Sequence, residues 1–216
     1  MPNDLDLFVA DPAHPPRVRA LASRGEIRRF RKGTILIHEG DLGDTLYILT
    51  SGRVKVYCMD DHGREITFGV FGAGEYVGEM ALDGGPRSAS VITLEPTVCA
   101  VVRRSDILAF IGQCPEFSFE MFSKVIHRLR LATRDARNLA FIDVYGRLTR
   151  LLNEMALPMP DGRRRVAERI THQEIASRVG CSREMVSRIL KDLSQGGHLA
   201  IENHHIVLIG KLPQRW

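Results

Sequence analysis

A chain of 216 residues is long enough for two modest domains or one larger one. Its 44% apolar and 26% charged residues are ordinary for a soluble globular protein, and no apolar run approaches membrane-spanning length. Charge is uneven: residues 1–143 hold 18 Lys and Arg against 19 Asp and Glu, whereas residues 144–216 hold 12 against 7, a basic excess of the kind that nucleic-acid-binding modules carry.

Residues 15–24 read as a short helix opened by proline and ended at Gly25. From Ile27 to about Val102 the texture changes to short β-branched runs punctuated by glycine. Strands are expected at 34–37, 45–49, 53–57, 65–68, 90–94 and 97–102, with turns at Gly40, Gly52 and 60–63. Turn signals every 8–12 residues predict an antiparallel sandwich or barrel. Ser105 and Asp106 are placed to cap a short helix over 107–113.

Residues 116–143 then read as one long helix, with Pro115 suited to its first turn. Apolar or small residues recur at Phe122, Val125, Leu129, Ala132, Ala136 and Leu139, the seven-residue repeat of a helix that packs on another helix. Lys124, His127, Arg130, Arg134, Asp135 and Arg137 form the opposite face, which is expected to be wet. The helix is either a dimer seam between two domains or a core helix inside one.

Asp143 is a good N-cap for a helix over 144–156, which Pro158, Pro160 and Gly162 break. A short strand is expected within 163–170. Helices over 171–179 and 182–193 follow, then a hairpin of 199–202 and 205–209 around Asn203 and His204.

Two constellations carry chemistry. The first is Gly78-Glu-Met-Ala-Leu-Asp-Gly-Gly-Pro-Arg-Ser-Ala-Ser90. Gly78 permits close backbone approach, and Glu79 to Leu82 can form one helical turn whose N–H groups favour an anion. Arg87 presents a permanently charged planar fork to a phosphate, with the Ser88 hydroxyl beside it. Glu79 beside that arginine suits a ligand that is part anion and part polyol, such as a ribose phosphate. The alternative is a structural Glu79–Arg87 ion pair.

The second constellation is Ala176, Gly180, Val186 and Ile189: a close crossing, a tight turn and two apolar residues that pack the second helix on the first. This is helix-turn-helix spacing. Thr171 and Glu174 form a capping-box pattern, and Ser182 can cap the second helix. Arg183, Glu184, Ser187, Arg188 and Lys191 lie off the packing faces, where they can meet base edges or form a solvated, salt-bridged face.

Both constellations resemble the catabolite-activator/FNR family of transcription regulators. The first half, with G-E-x-A-L…P-R-S-A-S after E-G-D…L-Y-I-L-x-S-G-R-V-K-V, is similar to the cyclic-nucleotide-binding domain. The second is similar to the family's DNA-binding domain through 180–191 and 138–147. The resemblance implies an α+β fold: a sensor domain over 1–115 built as an antiparallel β-roll, a dimerisation helix over 116–143, and a winged helix-turn-helix over 144–216. It implies that Glu79 takes the ribose 2′-hydroxyl and Arg87 and Ser88 the cyclic phosphate, with backbone help at Gly78 and Ala89. Thr133 would reach the base from a partner subunit. Base contacts are implied for Arg183, Glu184 and Arg188, and phosphate contacts for Thr171, Gln173 and Ser182.

The expected partners are a palindromic operator with TGTGA-like half-sites, a second copy of the chain, and RNA polymerase. The expected effector is cAMP or cGMP. Cyclic di-GMP, another effector or none remains open, because the family's adenine-binding threonine is Ala132 here and the Glu79–Arg87 loop is short.

No membrane partner and no required cofactor are expected. The N-terminus MPNDLDLF lacks signal-peptide character, and Cys58, Cys99, Cys114 and Cys181 form no C-x-x-C pair, so a reducing cytoplasm is expected. An enzyme is not expected, for want of a metal-ligand cluster, a nucleophile–base pair or a phosphate-loop lysine. The remaining alternative is a nucleotide-binding regulatory subunit without DNA binding. Arg163 to Arg165 could meet DNA phosphates or RNA polymerase, or simply be solvated. His204 and His205 are set aside as a metal pair, since neighbours on a strand point to opposite faces.

Overall fold

The computed structural model describes residues 4–61 and 63–213; His62, in the expected 60–63 turn, lies outside them. The chain divides into two compact units, one of 1–58 and 67–129, the other of 59–66 and 130–216.

The first unit opens with helices α1 (Asp4–Ala10) and α2 (Pro16–Ala22). Eight strands follow: β1 (Glu26–Phe30), β2 (Ile35–Ile37), β3 (Thr45–Ser51), β4 (Val54–Met59), β5 (Glu65–Phe71), β6 (Tyr76–Val77), β7 (Ser90–Thr93) and β8 (Thr97–Arg103). They form two antiparallel sheets, ordered β1-β8-β3-β6 and β2-β7-β4-β5. β8 is apolar on both faces for a reason. Cys99 and Val101 join Ile37, Leu49, Val54 and Val91 in one core, while Ala100 and Val102 face a second core with Phe8, Val18, Leu21, Ile107, Phe110 and Phe117. Burial among apolar neighbours pushes the Cys99 thiol up to about 12.

The antiparallel strand series is present, as expected, but four elements were not anticipated. α1, β1, β6 and β9 (Ala156–Pro158) are short, and strand pairing makes the last three: β1 aligns Glu26–Phe30 against Val101–Thr97 of β8. Helix α3 (Arg104–Gln113) begins before the expected cap. Its N-cap is Arg103, without a side-chain cap bond, because the chain runs straight out of β8.

Helix α4 (Glu116–Phe141) is continuous over 26 residues. Its polar face corrects one expectation. Lys124 is half-buried, with Nζ 4.4 Å from the centroid of the Tyr76 ring, and burial lowers its pKa. The heptad residues lie outside instead: Phe122 and Leu129 are each 63% exposed, and Val125 and Leu139 are also exposed. Within the first unit, α4 is anchored by the buried Phe117 at its start and then by its cations on aromatic rings, and leaves its heptad stripe uncovered.

In the second unit, Asp143 caps α5 (Val144–Met155) by accepting from the Gly146 amide at 2.7 Å, as expected. α5 stops at Met155, because Ala156 enters β9, which pairs with β10 (Arg164–Val166). The expected 163–170 strand is confined to β10. α6 (His172–Val179) and α7 (Arg183–Gln195) follow, then β11 (Leu199–Glu202) and β12 (His205–Leu208), in a sheet ordered β11-β12-β10-β9. Asn203 and His204, at φ 50° and 64°, make the two-residue turn that this hairpin requires.

Candidate functional site

In the first unit the site is built around Arg87, which is buried. The chain leaves β6 through Gly78, at φ 94°, and enters the 3-10 turn Glu79–Asp83. The expected single helical turn is thus present, in its tighter form. Arg87 returns on the far side, where its amide donates to Asp41 O and its carbonyl accepts from the Gly40 amide, both at 2.8 Å. The Glu39-Gly-Asp loop is therefore tied to the arginine.

The guanidinium has no carboxylate partner among the described residues. Nη1 donates to Gly78 O at 2.9 Å and Nη2 to Thr45 Oγ1 at 3.0 Å. A Cβ on Gly43 would stand 2.7 Å from Nη2, and one on Gly78 would stand 2.8 Å from Nη1. Two glycines let the backbone close on the fork from two sides. A buried cation held by neutral acceptors leaves charge uncompensated, so it favours an anion. Ser88 is exposed, and its hydroxyl contacts the Met80 sulfur at 3.2 Å; Ala89 is buried.

Glu79 is not paired with Arg87. Its carboxylate, 7% exposed, accepts from Arg128 Nη1 of α4 at 2.5 Å. Arg128 also donates to Tyr76 O at 2.7 Å and lies 4.5 Å from the centroid of the Phe71 ring. The Glu79–Arg87 ion pair raised as the alternative is therefore not formed among the described residues. A carboxylate ion pair exists, but with a residue 49 positions away. Arg128, Thr45 and Gly43 were missed. Arg128 belongs to neither the expected apolar stripe nor the expected wet face of α4, and only the folded chain brings it to Glu79. Thr133 is exposed on the part of α4 that belongs to the second unit.

The second unit brings the helix-turn-helix residues together as the spacing requires. Ala176, Val186 and Ile189 are buried, and Gly180, at φ 71°, ends α6. Thr171 and Glu174 form the full capping box, and Ser182 caps α7 by accepting from the Met185 amide at 3.2 Å. Arg147 fastens the turn from behind. It donates to Val179 O at 2.8 Å and to Ile142 O at 2.6 Å, a cation placed at the negative end of α6.

Thr171, Gln173, Ser182, Arg183, Glu184, Arg188 and Lys191 are all exposed, whereas Ser187 is half-buried. Arg163 is occupied by Asp161 and Glu202. The ring nitrogen Nδ1 of His205 lies 3.0 Å from Val166 O. Among the described residues no group of His, Cys, Asp and Glu could hold a metal ion, and no helix is long and apolar enough to cross a membrane.

Comparison with known proteins matches the regions that hold both constellations. Residues 27–114 match the model of the cyclic nucleotide-binding domain, and residues 146–212 match that of the Crp-like helix-turn-helix domain. The chain is 32% identical over 210 residues to the cAMP-activated global transcriptional regulator Vfr of Pseudomonas aeruginosa, covering 91% of this chain and 97% of that one. It is 31% identical over 211 residues to the cAMP-activated global transcriptional regulator CRP of Salmonella typhimurium, covering 94% and 99%. Among solved structures it resembles CLP, a c-di-GMP-responsive global regulator of Xanthomonas campestris, at 30% identity and TM-score 0.78, covering 90% of this chain and 98% of that one.

Proposed function

Because this chain belongs to the Crp/Fnr family of DNA-binding transcription regulators, we propose that it is a homodimer whose binding to a palindromic operator is set by a cyclic nucleotide, cAMP or cGMP, in the cradle around Arg87. The observation that carries this reading is the buried guanidinium with, among the described residues, only Gly78 O and Thr45 Oγ1 as acceptors. A cyclic phosphate supplies the missing negative charge, with Ser88 and the backbone at Gly78 and Ala89 beside it.

Glu79 accepts the ribose 2′-hydroxyl. That hydroxyl competes with Arg128 for the carboxylate, so occupancy alters the hold of the cradle on α4. Thr133, from the α4 of a second chain, offers its hydroxyl to the base. The exposed apolar stripe of α4, with Phe122, Val125 and Leu129, supports dimerisation along that helix. Linked copies place two recognition helices in successive major grooves, about 34 Å apart. Arg183, Glu184 and Arg188 read bases, while Thr171, Gln173, Ser182 and Lys191 hold the backbone. RNA polymerase is the partner that the family reading adds.

The likeness to CLP, together with Ala132 in place of a threonine, favours cyclic di-GMP as the second reading. Titration calorimetry of the full chain with cAMP, cGMP and cyclic di-GMP separates the two, with binding to a palindromic duplex measured alongside. Arg87→Ala is expected to abolish the heat of binding and leave salt-sensitive nonspecific DNA binding intact. A normal titration by that variant, or a wild type that binds none of the three, overturns the proposal.

A further inference from the structure

Ser187 differs from the other candidate readers on α7. Its hydroxyl oxygen lies 2.8 Å from Nδ1 of His172, the first residue of α6. Both side chains are half-buried, whereas Arg183, Glu184 and Arg188 stand in solvent. Whichever group donates, the hydroxyl is directed at α6. Ser187 sits beside Val186 and close to Ile189, the residues that seat α7 on α6. Apolar contact of that kind is non-directional and fixes a helix crossing more firmly than a helix roll. A polar bond at the edge of the seat is directional and removes the roll. A small roll is magnified at the tips of long side chains, and a bidentate contact with guanine tolerates little displacement.

We propose that His172 is a positioning residue for DNA recognition: it clips α7 to α6 through Ser187, so that Ser187 sets the roll of the recognition helix and reads no base. The inference rests on the helix-turn-helix being the DNA-binding element. It also withdraws Ser187 from the residues expected to touch bases.

The test compares the full chain with His172→Ala, Ser187→Ala, the double variant and His172→Asn. Asparagine carries a polar atom near the place of Nδ1, so it can restore the clip without the ring. Duplexes are selected by the wild type from a random-sequence pool, with cAMP, with cGMP and without nucleotide. Each alanine variant is expected to lower the ratio of selected to random affinity about fivefold, the worth of one hydrogen bond. The double variant should lose no more than the worse single one, and His172→Asn should recover most of the loss. Affinity for random DNA should be unchanged, and Ser187→Ala should keep the same preferred base at every position. Additive losses, or a preference altered at one base pair by Ser187→Ala, overturn the proposal. If the wild type selects no sequence, the DNA-binding reading has failed instead. Thermal denaturation of the full chain then decides the clip: non-additive shifts in Tm support it and additive shifts refute it.

Discussion

The cradle and the helix-turn-helix solve opposite problems. On α7 the working side chains Arg183, Glu184, Arg188 and Lys191 stand exposed on a scaffold whose caps and apolar seat are complete without a ligand. In the cradle Arg87 and Glu79 are buried and already bound within the protein, Arg87 to Gly78 and Thr45, and Glu79 to Arg128. The reading surface has only to be aimed. On the proposed function the cradle has to exchange bonds with its ligand, and Arg128, which holds Glu79, sits on the same helix whose heptad stripe is uncovered. A finished site and a site that must be rearranged are the two halves that a ligand-controlled regulator needs.

Breaking the cradle should cost more stability than breaking the reader. Arg128→Ala leaves the Glu79 carboxylate buried without its cation, and is expected to destabilise the first unit by about 3 kcal/mol, measured by urea denaturation; Arg128→Lys, which keeps the charge but loses the fork, should fall between. Gly78→Ala places a Cβ 2.8 Å from Arg87 Nη1 on a residue at φ 94°. It should cost about 1–3 kcal/mol and weaken nucleotide binding in calorimetry, without changing DNA sequence preference. Arg183→Ala touches neither core. It is expected to lose about 1–3 kcal/mol on a specific duplex and nothing in stability, so equal weakening on random DNA would contradict its role. The smallest effect is a null one. With its thiol pushed up to about 12 by burial, Cys99 should stay unlabelled by iodoacetamide at pH 8 while half-buried Cys58 and Cys114 react, as peptide mass mapping would report.

Much of this was legible beforehand because it is local. The capping box at Thr171 and Glu174, the positive-φ Gly180 and the Asp143 cap are short-range patterns with one physical solution each, and all are present. Gly78 and Arg87 were legible as a motif because a glycine beside an arginine fork is economical only where an anion or a close backbone must fit. Lys124 and Arg128 were misplaced or missed because a heptad pattern says which stripe is apolar, not which stripe faces its own domain. β1 and β6 were missed because their pairing is supplied by β8 and β3.

The sequence by itself determined the main series of strands and helices, the phosphate-suited arginine and the two-helix reader, since spacing and side-chain chemistry constrain these within a few residues. Only the tertiary structure decided that Glu79 answers to Arg128, that Arg87 keeps no carboxylate among the described residues, and that Ser187 answers to His172. Those pairings join residues far apart along the chain, and the choice among several available partners is made by burial, which no local pattern encodes.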